Sequence, residues 1–256
     1  MFLAIDAGNS NVVFALYQES EKKWTNHFRV DTKGSKLISQ LSKKVPLYFL
    51  EHGISPSDIS KIGFSSVVPE INGTIIQFCE NYFGTEPYLI QPKSYKKLPV
   101  TSLKPNEIGS DLMCNVTAAY SKFQKAVLIV DFGTALTFTV VDKTGTIKGV
   151  NIVPGLRTAI NSLFHNTSKL PNVELKMPES ALGQNTIHAI QAGILYGYTG
   201  LVKGMIETIE QETKEKYIVV ATGGLSSVLT PLTEVFDEID RNLTLEGLRL
   251  ITSANN

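Results

Sequence analysis

The sequence has few of the residues that mark several large protein classes. Only two of its 256 residues are cysteines, Cys79 and Cys114, and their spacing fits no metal-binding motif. We therefore predict two packed thiols in a reducing compartment. No apolar run reaches the roughly 18 residues that a bilayer crossing needs. The 24 basic residues balance the 24 acidic ones, a composition that favours neither a nucleic-acid partner nor an acidic tail.

Two kinds of signal are also missing. The segment from Met1 to Asp6 contains no basic residue, and its aspartate comes too early for a secretion signal. We therefore expect a cytoplasmic protein without a membrane partner. The chain has neither a Walker lysine motif nor a GxGxxG motif, so P-loop and Rossmann folds lose their main support.

An internal repeat is the main feature that is present. Residues 2–16 and residues 127–141 each contain an apolar strand, then Asp-x-Gly, then small polar residues and a second apolar strand. The apolar runs are short and β-branched, which favours strands over helices. We predict two similar α/β halves, residues 1–118 and 119–256, each with a hairpin whose turn lies close to a ligand.

The turn that follows Asp6 is a candidate phosphate site. Glycine allows a ligand to approach the backbone, and the short polar side chains beside it offer donors without bulk. A tight hairpin with a capping aspartate would look similar. However, such a hairpin gives no reason for the Asp-x-Gly pattern to recur at Asp131. We therefore interpret both turns as phosphate turns, with Asp6 as a ligand of a divalent ion.

Two other segments are candidates for the same site. Thr222-Gly223-Gly224 directly follows a buried strand, where glycines let a nucleotide lie against the backbone. Taken alone, this segment is better explained as a turn that enters a helix. Asp111 begins an apolar-patterned helix, whose amino end stabilises a carboxylate. It is either a helix cap or the base that phosphoryl transfer to a hydroxyl requires.

In their order along the chain, these segments resemble the type III pantothenate kinase family of the acetate-and-sugar-kinase/Hsp70/actin superfamily. The resemblance covers nearly the whole chain and implies an α/β fold of two actin-like (ribonuclease-H-like) halves, with mixed sheets flanked by helices. The segments that carry it are Asp6–Ser10, Pro105–Asp111, Val130–Ala135, Ile152–Leu156, Gly183–Thr186, Thr222–Gly224 and Leu243–Leu248.

The resemblance implies ATP-dependent phosphorylation of pantothenate to 4'-phosphopantothenate, the first step of coenzyme A biosynthesis. It implies ATP, Mg²⁺ and a monovalent cation (K⁺ or NH₄⁺) as cofactors, and a homodimer whose second-half helices pair. Asp111 would be the catalytic base, Asp131 would bind the monovalent cation, and Asp6 would hold Mg²⁺ with ATP. The residues implied to bind ATP are Asp6, Ala7, Gly8, Asn9, Ser10, Asn11, Val12, Val13 and Thr134. The residues implied to bind pantothenate are Gly109, Ser110, Asp111, Leu112 and Thr186.

The acceptor side departs from the family pattern. The family has Gly-x-Asp-Arg, whereas this chain has leucine at the last position, Leu112, and Ser102 stands where a tyrosine is usual. Leucine offers no charge and no bidentate hydrogen bond to a substrate carboxylate. Two alternatives to pantothenate kinase activity follow. One is a degenerate member that binds nucleotide as a regulator without kinase activity, and the other is a kinase with an altered acceptor.

Overall fold

The structure, a computed structural model, describes residues 1–32 and 37–255. It divides into two compact units. The first unit comprises Met1–Ala118 and Asn242–Asn256, and the second comprises Ala119–Arg241. Among the described residues, no helix combines the length and the apolar character that a bilayer crossing requires.

The first unit is built on a mixed five-stranded sheet. Its strands follow the order β3-β2-β1-β4-β5, with β1 antiparallel to β2 and parallel to β4. Helices α1 and α2 supply buried residues to the same core as β1 and β2. The bounds are β1 (Phe2–Ala7), β2 (Asn11–Gln18), β3 (Lys23–Asp31), β4 (Lys61–Ser66), β5 (Tyr88–Leu89), a short strand β6 (Thr101–Ser102), α1 (Leu37–Glu51), α2 (Asn72–Phe83) and α3 (Ser110–Phe123).

The second unit repeats this arrangement. The bounds are β7 (Val127–Phe132), β8 (Ala135–Val141), β9 (Thr146–Pro154), β10 (Ile218–Thr222), β11 (Glu238–Ile239), α4 (Leu156–Asn166) and α5 (Thr186–Thr213). These strands follow the order β9-β8-β7-β10-β11, with β7 antiparallel to β8 and parallel to β10. The same succession of strands in both units confirms the predicted repeat and the fold of two actin-like, ribonuclease-H-like halves.

The last helix, α6 (Leu243–Asn255), belongs to the first unit. The predicted second half, residues 119–256, included this helix, and the structure differs at this end of the chain. Leu245, Leu248 and Ile251 are buried against residues of β1 and β2. Gly247 permits close packing on α3, since a Cβ there would lie 1.8 Å from the Cys114 carbonyl oxygen.

Candidate active site

The first Asp-x-Gly turn joins β1 to β2. Asp6 lies next to last in β1, and the Gly8 N–H closes the turn by donating to the Asn11 carbonyl at 3.0 Å. Thr32, the residue after β3, donates its hydroxyl to the Gly8 carbonyl at 2.6 Å and its N–H to the Ser10 carbonyl at 3.1 Å. The sequence analysis gave Thr32 no role. The only indication of a role for Thr32 in the sequence is its position as a polar residue at the end of a predicted strand.

The tip of this turn faces solvent. Asn9 and Ser10 are exposed, and Gly8 and Asn11 are half-buried, whereas Thr32 is only 6% exposed. The turn is therefore open to a ligand at its tip and fixed by hydrogen bonds at its base. Backbone amides and short polar side chains in such a turn are suited to binding phosphate oxygens.

Helix α3 is tied to the end of β4 through Ser110. The Ser110 hydroxyl accepts from the Ser66 N–H at 3.1 Å and donates to the Ser66 carbonyl at 3.1 Å. The Ser65 hydroxyl lies 3.0 Å away and is buried with it. Ser65 is also the residue opposite Asp6 in the pairing of β4 with β1. This network brings the first turn of α3 beside the strand that carries Asp6.

Asp111 lies in that first turn of α3. Burial raises the pKa of its carboxyl, and hydrogen bonds from the backbone N–H groups of Leu112, at 2.8 Å, and of Asp111 itself partly offset the rise. Gly109 leaves the space for this carboxyl, since a Cβ there would lie 2.4 Å from Asp111 Oδ1. A carboxyl whose pKa is displaced towards the working pH is suited to act as a general base.

The charges of Asp6 and Asp111 both act on one buried thiol, that of Cys114. Burial, and then the charges of Asp6 and Asp111, raise the pKa of Cys114 well above its ordinary value. Cys114 is fully buried in α3. The carboxylate predicted for the metal and the carboxylate predicted for the base therefore both lie in the first unit, within electrostatic reach of Cys114.

The second Asp-x-Gly turn carries a different arrangement of oxygen atoms. Asp131 in β7 lies opposite Thr137 of β8 and Thr222 of β10. The side-chain oxygens of both threonines are buried and have no hydrogen-bond partner among the described residues. Buried hydroxyls are rarely left without a partner. A carboxylate between two such hydroxyls is a set of hard oxygen donors, the kind that K⁺, Mg²⁺ and similar ions prefer.

The oxygen atoms around Asp131 differ from the usual clusters of metal-binding side chains. Within the described ranges, no group of three or more His, Cys, Asp or Glu side chains is placed to hold a metal ion. A cation at Asp131 would therefore depend on hydroxyl and backbone oxygens. The sequence analysis missed Thr137, because its position opposite Asp131 depends on the register of β8.

Gly223 allows the Thr222-Gly223-Gly224 segment to lie against the end of β7. It has φ of +90°, a conformation that favours glycine. A Cβ at Gly223 would lie 2.6 Å from Asp131 Oδ1 and 2.7 Å from the Phe132 carbonyl oxygen. This segment is therefore part of the surroundings of Asp131, which supports its inclusion among the candidate site segments.

The backbone carbonyl of Thr134 accepts hydrogen bonds from residues at the start of α4. This carbonyl accepts the Gly155 N–H at 3.0 Å and the Thr158 hydroxyl at 2.6 Å. A Cβ at Gly155 would lie 2.3 Å from the Gly133 carbonyl oxygen, so the close approach requires glycine. The sequence analysis included Gly155 in a motif but gave Thr158 no role.

Thr186 is the first residue of α5, in the second unit. Asn185 caps this helix by accepting the His188 N–H at 2.9 Å. Thr186 and Asn185 are exposed at the edge of a groove of about 530 Å³ that Leu163 and Ile190 also line. Gly109, Ser110, Asp111 and Leu112 lie in the first unit at the start of α3.

The chain matches known proteins over almost all of its length. A family model described as type III pantothenate kinase matches residues 2–208. The chain is 40% identical to the type III pantothenate kinase of Geotalea uraniireducens, over 100% of this chain and 99% of that protein. It is 37% identical to that of Myxococcus xanthus, with the same coverage. This chain belongs to the type III pantothenate kinase family.

Solved structures support the fold of this family member. The activator of the 2-hydroxyisocaproyl-CoA dehydratase from Clostridium difficile, solved with bound ADPNP, matches with a TM-score of 0.54 at 10% identity, over 99% of this chain and 95% of that chain. The ethanolamine utilization protein EutJ from Carboxydothermus hydrogenoformans matches with a TM-score of 0.55 at 15% identity, over 97% and 89%. Type III pantothenate kinases are phosphotransferases, so membership implies ATP and a divalent metal ion.

Proposed function

We propose that this protein transfers the terminal phosphoryl group of ATP to the hydroxyl of pantothenate, giving 4'-phosphopantothenate. The observation that carries the proposal is the full-length match to type III pantothenate kinases together with the retained Asp111. The carboxyl of Asp111 has a raised pKa, and its charge and that of Asp6 both act on Cys114. The comparisons favour neither of the alternatives raised by Leu112, a regulator without kinase activity or a kinase with an altered acceptor.

The first turn would bind the phosphates of ATP. The residues proposed for this are Asp6, Ala7, Gly8, Asn9, Ser10, Asn11, Val12 and Val13, and Thr134 is proposed to reach the nucleotide from the second turn. Amide groups and short side chains of the turn fit phosphate oxygens. Asp6 would hold Mg²⁺, which, when bound with ATP, neutralises charge that develops on the transferred group.

Asp131 would bind the monovalent cation. The supporting observation is the pair of buried hydroxyls beside it, Thr137 and Thr222, which lack partners among the described residues. A cation there would satisfy oxygen atoms that are otherwise buried at a free-energy cost. K⁺ or NH₄⁺ suits such a weakly charged set better than an ion that needs several carboxylates.

Asp111 would take the proton from the pantothenate hydroxyl as that oxygen attacks the phosphorus atom. Gly109, Ser110 and Thr186 would line the pantothenate site. Leu112 presents an apolar side chain, so the carboxylate of pantothenate would need another donor. Ser102, which stands at the position of the family tyrosine, cannot supply a positive charge.

We also propose a homodimer that pairs through α5. Four glycines, Gly193, Gly197, Gly200 and Gly204, share one face of this helix, and a Cβ at any of them would meet nothing within 4 Å. Each glycine in a helix costs about 1 kcal/mol relative to alanine. The absence of side chains on this face would let a helix from a second copy approach closely, which would explain why the glycines are there.

Since ATP is abundant in the cytoplasm, we propose that location for the protein.

The test is an acceptor panel with the purified protein. ADP release is measured with ATP, Mg²⁺ and K⁺ in the presence of pantothenate, pantothenol or pantetheine at millimolar concentration. We expect release that depends on pantothenate and that is stronger than with the two analogues, which lack the carboxylate. Preference for an analogue would support an altered acceptor. Absence of any pantothenate-dependent ADP release would refute the proposal.

A further inference from the structure

Thr32 makes two hydrogen bonds to the turn that we propose binds phosphate. Its hydroxyl donates to the Gly8 carbonyl at 2.6 Å, and its N–H donates to the Ser10 carbonyl at 3.1 Å. The N–H bond continues the register in which β2 pairs with β3, where Asn11 lies opposite Asp31, whereas the hydroxyl bond to Gly8 is no part of that pairing. The Thr32 side chain is almost completely buried. Water therefore has little access to replace the hydroxyl if it is removed.

These bonds fix the direction of a peptide group. A trans peptide is planar, so the carbonyl of one residue and the N–H of the next point to opposite sides. The described residues contain no cis peptide bond. When Thr32 holds the Gly8 carbonyl, the Asn9 N–H must point away from Thr32. The Gly8 carbonyl is thereby directed away from an anion bound at the turn, and the Asn9 N–H is directed towards that anion.

The second turn carries an equivalent contact from a different element. Thr158, in the first turn of α4, donates its hydroxyl to the Thr134 carbonyl at the same distance of 2.6 Å, and the Gly155 N–H donates to the same carbonyl. In each repeat, therefore, a threonine hydroxyl and a backbone N–H hold carbonyl groups of the Asp-x-Gly turn. Thr158 is exposed, so water can partly take its place.

We infer that Thr32 is a positioning residue for ATP, because it holds the Gly8–Ser10 turn with its amide groups directed at the phosphates. The inference rests on the proposed function, since it takes the ligand of this turn to be the phosphates of ATP. Thr32 itself need not touch the nucleotide. Thr158 is its counterpart in the second unit, with a weaker effect because its bond is exposed to water.

The experiment compares three variants of the full-length protein. Thr32→Val removes the hydroxyl and keeps both the shape and the N–H, and Thr32→Ser restores a hydroxyl. Thr25→Val is the control, since the Thr25 hydroxyl likewise donates to a backbone carbonyl, that of Leu16 in β2, but far from the turn. Binding of a non-hydrolysable ATP analogue with Mg²⁺ is measured by calorimetry, and KM for ATP and for pantothenate is measured by ADP release.

We expect Thr32→Val to weaken analogue binding and raise KM for ATP about tenfold, as the loss of one buried hydrogen bond predicts. KM for pantothenate should stay unchanged, Thr32→Ser should recover most of the affinity, and Thr25→Val should bind as the wild type does. If Thr32→Val does not fold, Thr32→Ala, which relieves any crowding by the valine methyl, is measured in its place.

Two results separate the inference from the proposed function. A wild-type protein that binds no ATP analogue would overturn both. A wild-type protein that binds it, with Thr32→Val or Thr32→Ala equally tight, would overturn the role of Thr32 alone. An equal loss in Thr25→Val, or an equal rise in KM for pantothenate, would show a general structural defect and would also overturn the inference.

Discussion

At the scale of single residues, Asp111 is subject to two opposing requirements. Phosphoryl transfer needs its carboxyl ionised, whereas burial favours the protonated form and raises its pKa. Hydrogen bonds from backbone N–H groups, including that of Leu112 at 2.8 Å, recover part of the cost of the ionised form. The ionised Asp111 carboxylate therefore lowers the folding stability at neutral pH, and the same burial gives the carboxylate the basicity that a general base needs.

Replacing Asp111 with asparagine separates these effects. Asp111→Asn keeps the size of the side chain and an oxygen that can accept the Leu112 N–H, but it cannot take a proton. We expect kcat to fall by about 10²–10⁴, while the melting temperature at pH 7.5 rises slightly. Turnover and thermal unfolding are measured on the same preparation. A variant with wild-type turnover would show that Asp111 is not the base.

The raised pKa also fixes the sign of the pH dependence. The folded state holds the proton of Asp111 more tightly than the unfolded state, whose pKa is near the ordinary value of 3.8. The stability contribution of this group is therefore complete below 3.8 and is lost as the pH rises through the folded pKa. Wild type should lose stability relative to Asp111→Asn across that range, and kcat/KM should rise over it. A constant difference in stability would contradict this assignment.

At the scale of elements, the junction of α6 with α3 stabilises the first unit. Gly247 lies against the Cys114 carbonyl, and the Thr244 hydroxyl donates to Asn115 Oδ1 at 2.7 Å. Asn115 is fully buried. These contacts fix the helix whose first turn carries Asp111. The C-terminal helix thus supports the proposed acceptor side, although it is remote from it in sequence.

A methyl group at Gly247 should disrupt this junction. Because the nearest atoms are backbone atoms of Cys114, Gly247→Ala forces the two helices apart, and we expect unfolding free energy to fall by about 1–3 kcal/mol. Gly73→Ala in α2 is the control, since a Cβ there would meet nothing within 4 Å. It should raise stability by about 1 kcal/mol. Denaturant unfolding of both variants measures the difference, and equal effects would refute the close packing.

An element could be predicted from the sequence when the residues that define it are adjacent along the chain. The hairpins that follow Asp6 and Asp131 could be predicted, because apolar runs and the Asp-x-Gly turn are adjacent in sequence. The placement of α6 could not, because a helical pattern shows a buried face without showing which sheet covers it. Thr32 and Thr137 were missed because their roles depend on strand register.

At the scale of the whole molecule, the glycine face of α5 is the feature that a single chain leaves unexplained. Gly197→Leu would place a large side chain on this face, at a position where a Cβ meets nothing within 4 Å in the chain itself. We expect it to convert a dimer to monomers, as seen by size-exclusion chromatography with light scattering. Gly73→Leu, at another open helical position, should leave the assembly unchanged. A monomeric wild type would contradict the proposed dimer.

We expect this member of the type III pantothenate kinase family to phosphorylate pantothenate despite Leu112. The most direct measurement is mass spectrometry of a reaction that contains the purified protein, ATP, Mg²⁺, K⁺ and pantothenate. We expect 4'-phosphopantothenate in amounts equal to the ADP formed, with loss of both products in Asp111→Asn. Binding of ATP without any phosphorylated pantothenate would contradict it.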